Sequence, residues 1–308
     1  MVRTSGSSFI TPPEEEVIYP YHRVWPSLAL QAGGWFVITV GTYAAINFVG
    51  FVPPASLNTS ITLGLLALPL FLWLIFALGA EQRVPEPRRR LLAVLIVSAL
   101  VANAVGLPLI DGVFQPNRWL SLASAVDRIV GYTFTVGIVQ EFLKYLVVRY
   151  IVWPDYFRTR VDAVAYGIAG AIGYATVINF QFVLTNAVPL DAAALYIFDT
   201  LTANLAGSII VSYGFAEVRF GNPTAFLLTI TIALAALVNG ALIPLRAGLV
   251  NADFFFNLDV FSLQVSAPSP LLGLGLSAAA AVGVVVVVAF LYANAERRAR
   301  EAQATREV

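Results

Sequence analysis

Residues 138–150 read IVQEFLKYLVVRY, and three polar side chains in that apolar run, Gln140, Glu141 and Lys144, decide what kind of fold the chain needs. The surrounding composition is that of a membrane protein: 59% of the residues are hydrophobic and 12% are charged, with a mean hydropathy of +0.81. Soluble domains carry about 25% charged residues. A charged group at the centre of a transmembrane helix costs about 2.5–3.5 kcal/mol, which argues against lipid exposure of Glu141. Lys144 lies three residues on, on the same helical face, where an ion pair forms. Pairing, or protonation of the carboxyl, lowers the cost. Gln140 points about 100° away from Glu141 around the helix. Such a helix needs protein around it, and the sequence predicts an all-α polytopic membrane bundle.

Eight runs are long enough to cross a bilayer: roughly 27–52, 60–80, 90–110, 127–153, 161–187, 191–217, 223–246 and 270–294. Each is expected to be helical, because an unpaired backbone cannot sit in lipid. Even Val284–Val288, a strand signal in water, reads as helix there. The chain is read as one transmembrane domain, 25–294, between an N-terminal tail (1–24) and a C-terminal tail (295–308). An acidic, Pro-containing segment precedes the first run, so no cleaved signal peptide is expected.

Positive charge orients the bundle. With eight crossings, fourteen arginines fall on one side, in both tails and in the segments 81–90, 149–160 and 217–223. Arg118, Arg128 and Arg246 fall on the other. Both termini are therefore predicted to be cytoplasmic, in a prokaryotic plasma membrane. On the opposite side, 111–128 is expected to form an interfacial helix anchored by Trp119, and 251–270 a membrane-hugging loop or a lid over a cavity. The formal net charge is zero, so nothing in it attracts nucleic acid; lipid is the expected partner. Cysteine is absent, which excludes disulfides and thiolate chemistry.

Further polar residues lie within the runs: Asn179 and Gln181 in the fifth, Asp199, Thr200, Asn204 and Ser208 in the sixth, Asn239 in the seventh. Counting from the cytoplasmic ends, Gln140 lies roughly 20 Å deep, position 178 roughly 25 Å, Asn204 to Ser208 roughly 15–20 Å and Asn239 roughly 24 Å. Gln140, Asn179, Asn204 and Asn239 thus share a layer near the midplane and are the candidate binding residues. The layer fits a buried cavity, and it equally fits interhelical hydrogen bonds that only hold the bundle together.

The order of motifs resembles the PrsW family of intramembrane proteases, within the superfamily of CAAX-processing and bacteriocin-processing membrane enzymes. That family carries Glu-Glu-x-x-Lys on one span, matched here by Gln140, Glu141, Phe142, Leu143 and Lys144. Its next span begins with Asp, continues with Tyr-Gly and runs through Gly-Phe-Ala-x-x-Glu-Asn. Asp162, Tyr166 and Gly167, then Gly173, Tyr174, Ala175, Ile178 and Asn179, match it without gaps. The resemblance covers about 120–245. It implies a water-activating site of glutamates and histidines, with or without a metal, in which Glu141 and Lys144 are the catalytic candidates. The departures fall on that site. Gln140 replaces the first Glu and Ile178 another. Asn204 or Gly207 stands near one expected histidine and Asn239 near the other, while His22, the single histidine of the chain, lies in the N-terminal tail.

A catalytic zinc site takes about three protein ligands, usually His with a carboxylate. Glu141 and the more distant Asp199 do not make such a set, so neither a metal nor another cofactor is expected. The leading expectation is a degenerate protease scaffold that binds a membrane partner or segment. An active peptidase with a reduced site centred on Glu141, a transporter-like bundle and a structural subunit of a membrane complex are the alternatives.

Overall fold

Lipid forces each apolar run to close its own backbone hydrogen bonds, and the runs fold as long helices. The structure, a computed structural model, describes residues 24–82, 87–221, 224–251, 258–260, 263–265 and 269–306. Among them, eight long helices follow in order: α1 (Val24–Asn47), α2 (55–81), α3 (91–114), α4 (125–151), α5 (Arg160–Thr185), α6 (Leu190–Phe220), α7 (Leu227–Asn251) and α8 (Ser269–Arg306). Seven of them are long and apolar enough to cross a membrane on their own. The exception is α4, where Gln140, Glu141 and Lys144 dilute the apolar middle of a helix that runs without a break from 125 to 151.

The bundle is centred on α5 and α6. In each, 83% of the apolar window is buried, against 22% in α1 and α2 and 17% in α8. Composition explains the order: α5 is built of Ala and Gly among its buried residues, so neighbours approach closely, whereas the Val-rich α8 has the apolar surface that lipid accepts. Leu30, Val37, Phe71, Val286 and Phe290 are exposed on the outside of the bundle, where they meet acyl chains.

Four π-helical turns interrupt the helices, at Leu74–Leu78 in α2, Ala102–Gly106 and Pro108–Phe114 in α3, and Thr133–Gly137 in α4. Each π turn widens the helix and shifts the register of the residues beyond it. The turn in α4 ends three residues before Gln140.

On the near face, where α5 starts and α6 ends, a buried ion cluster joins three segments. Arg88 pairs with Glu81 Oε1 at 2.5 Å and with Asp162 Oδ1 at 2.5 Å, and its backbone N–H donates to Glu81 Oε2 at 2.9 Å. Asp162 also closes the N-terminus of α5: its Oδ2 accepts from the backbone N–H groups of Arg158 (2.8 Å) and Thr159 (2.7 Å) in a capping box with Thr159. Burial works against the Arg88 charge, but the two carboxylates hold its pKa above the ordinary value.

On the far face, the expected interfacial helix resolves into the end of α3, a single turn Pro116–Trp119 and the start of α4. Trp119 is exposed there, with its Nε1 donating to Phe114 O at 3.0 Å. Within 251–270, Leu258–Val260 pairs antiparallel with Leu263–Val265; residues 252–257, 261–262 and 266–268 of the expected loop or lid, like residues 1–23 with His22, lie outside the described residues.

Candidate functional site

Two glycines bring α4 and α7 into backbone contact. A Cβ on Gly137 would collide with the carbonyl of Ala236, and a Cβ on Gly240 with the backbone of Thr133. Only hydrogen at these positions lets the helices touch, and the touch sets Asn239 of α7 beside the start of the polar run in α4.

There the side chains form one network. Lys144 Nζ donates to Glu141 Oε1 at 2.7 Å, to Asn204 Oδ1 at 3.0 Å and to the Asn204 carbonyl at 3.1 Å. Asn239 Nδ2 donates to Glu141 Oε1 at 2.8 Å and to Gln140 Oε1 at 2.9 Å. Glu141 is fully buried, at 0% exposure. Its Oε2 makes no hydrogen bond among the described residues, and its carboxyl lies against Gly207 of α6, where a Cβ would strike it. The ring of Tyr174 sits 5.9 Å from Lys144 Nζ, within cation–π range.

The structure thus unites five of the six sequence candidates: Gln140, Glu141, Lys144, Asn204 and Asn239. Asn179 is buried at similar depth, but its Oδ1 has no hydrogen-bond partner among the described residues and it does not join the network. Depth along a helix does not fix direction around it. Asn179 follows Ile178, which faces the cavity described next, and is turned about 100° away from it.

The cavity, of about 460 Å³, lies among α3, α4, α5, α6 and α7 on the far side of the network. Gln140, Tyr174, Asn204 and Asn239 line its inner end, while Asn117, Thr185, Asn186 and Arg246 line the part nearest the far face. Asn117, Thr185 and Asn186 are exposed, so the cavity opens toward that face. On its wall Arg246 pairs with Asp199 at 3.1 Å. Glu141 and Lys144 do not line it: they lie behind Gln140 and Asn239. In the sequence Tyr174 reads only as a motif position, Arg246 only as an orienting charge and Tyr196 not at all; the shared wall singles them out.

The donor chemistry does not suit a metal. The described residues hold no group of three His, Cys, Asp or Glu side chains close enough to bind one. The one carboxylate of the network already spends Oε1 on an ammonium and an amide N–H. Lys144 Nζ occupies the position beside that oxygen.

Residues 86–293 match the family profile described as PrsW family intramembrane metalloprotease. No curated protein matches the chain, and no solved structure does.

Proposed function

Because the chain belongs to the PrsW family of intramembrane metalloproteases, we propose that this integral membrane protein keeps the family's scaffold without its hydrolytic chemistry and holds a membrane partner or segment in the cavity between α3 and α7. One observation carries the reading: Glu141, the carboxylate that would have to activate water, is fully buried and tied to Lys144 and Asn239. A general base must reach the proton it removes, directly or through one water. The residue at the cavity is instead Gln140, which takes no proton at physiological pH. General-base catalysis contributes about 10²–10⁴-fold, and the loss of acid–base and ligand groups together leaves little rate. Both termini are cytoplasmic in this reading, supported by the clustering of arginine on one side of the bundle.

A second reading, a peptidase with a reduced site, draws on the unpaired Oε2 of Glu141. The whole carboxyl group lies against Gly207 and Glu141 does not line the cavity, which favours the first reading.

Reconstitution of the purified protein with candidate transmembrane substrates tests the proposal. No cleavage products are expected by mass spectrometry. Reproducible cleavage that Glu141→Ala abolishes would overturn it.

A further inference from the structure

We propose that the side-chain amide of Gln140 is a hydrogen-bond donor, fixed in direction by Glu141 and Asn239, and that it receives the uncharged carbonyl of a short extended peptide segment in the cavity. This rests on the reading of the cavity as a site that binds without hydrolysis.

The direction follows from the buried charge. An ammonium only donates, so Glu141 Oε1 and Asn204 Oδ1 must face Lys144, at 2.7 and 3.0 Å. An ionised carboxylate only accepts, so Asn239 must present Nδ2 to Glu141, at 2.8 Å. The second N–H of that Nδ2 goes to Gln140 at 2.9 Å, which requires Gln140 to present Oε1. Gln140 Nε2 is then turned away from the network, on a side chain that lines the cavity, and it donates to no described residue. Tyr174 lines the same inner end, but its hydroxyl is buried against Gly106 of α3, which leaves Gln140 Nε2 as the donor there.

The floor therefore offers a donor with no net charge behind it, because Lys144 and Glu141 cancel. An anion would enter without a counter-charge at the floor, and a cation would meet an N–H group. A neutral carbonyl satisfies the floor at no electrostatic cost. Saturation then selects the backbone form. The carbonyls of a helical turn are already paired within the helix. An extended segment has open carbonyls, each costly in lipid until a donor is found, and this is the need that the floor meets.

The test uses the full-length protein in nanodiscs and an acetyl-capped, C-amidated tetra-alanine analogue with one photoreactive diazirine side chain. Cross-links are mapped by mass spectrometry, and unlabelled acetyl-tetra-alanine amide is the competitor. Cross-links are expected on cavity residues such as Ile178, Tyr196 and Ile243, with the peptide recovered intact. Gln140→Leu and Gln140→Met are expected to raise the half-competing concentration about tenfold, the loss of one buried hydrogen bond, without loss of fold. The pair exchange Glu141→Gln with Lys144→Met, which keeps the site neutral but frees the amides to turn, is expected to weaken competition while Gln140 itself is unchanged. Labelling outside the cavity, competition that both Gln140 variants leave unaltered, or tighter binding of the free carboxylate form of the peptide would overturn the inference. Cleavage of the peptide would instead overturn the absence of hydrolysis on which it rests.

Discussion

A single carboxylate organises the site. Glu141 is at once the counter-ion of Lys144, an acceptor for Asn239 and the neighbour of Gly207. Removing one partner of a buried pair costs about 3–5 kcal/mol, because the other charge is stranded. Glu141→Leu is expected to lose about that much in denaturant titration in mild detergent, while the double change Glu141→Leu with Lys144→Met recovers most of it, since an apolar replacement of a buried pair is often neutral. Gly207→Ala is expected to cost about 1–3 kcal/mol, the range for overpacking, as its methyl group displaces the carboxyl. Much of this site was legible in the sequence. Charge is so costly in lipid that Gln140, Glu141 and Lys144 announce a protein-facing surface, and the i, i+3 spacing of the pair fixes their contact. Asn204 and Asn239 followed from depth. Asn179 did not, because depth leaves the azimuth open.

At the scale of elements, the helices were legible as apolar runs, but their irregularities were not. A π turn depends on how neighbouring helices compete for one register, and no local residue pattern in α4 announces the turn at 133–137. The Arg88 cluster was hidden for a related reason. Among the arginines of 81–90, Arg88 reads as one more orienting charge, and only the fold brings Asp162 to it from the start of α5. Two outcomes belong here. Arg88→Ala is expected to cost about 3–5 kcal/mol by stranding two buried carboxylates, read as a lower midpoint in the same titration. Gly240→Ala is expected to cost at least about 1–3 kcal/mol, because its methyl group meets backbone and not a flexible side chain. It should also weaken peptide competition, since α7 then carries Asn239 away from Gln140.

Across the whole molecule, topology is the property most open to direct test. The chain has no cysteine, so single cysteines report position without background. Asn186→Cys, on the far face, is expected to react with a membrane-impermeant maleimide in intact cells. Asp155→Cys, on the near face, should react only after permeabilisation. The reverse pattern would invert the assigned orientation. Dialysis against a chelator is expected to leave Tm unchanged, because the cation of the site is a lysine. The dilution of α4 by its own polar residues bears, finally, on biogenesis. The middle of this helix leaves the ribosome carrying Glu141, Lys144 and the Gln140 amide, and Asn239 is translated about a hundred residues later. Until α6 and α7 are made, nothing in the nascent chain can complete the network around Glu141. Entry of α4 into the bilayer is thus expected to wait on the insertion machinery or on the helices still to come, which makes completion of α7 the commitment point of assembly and chains truncated before it natural targets for membrane quality control.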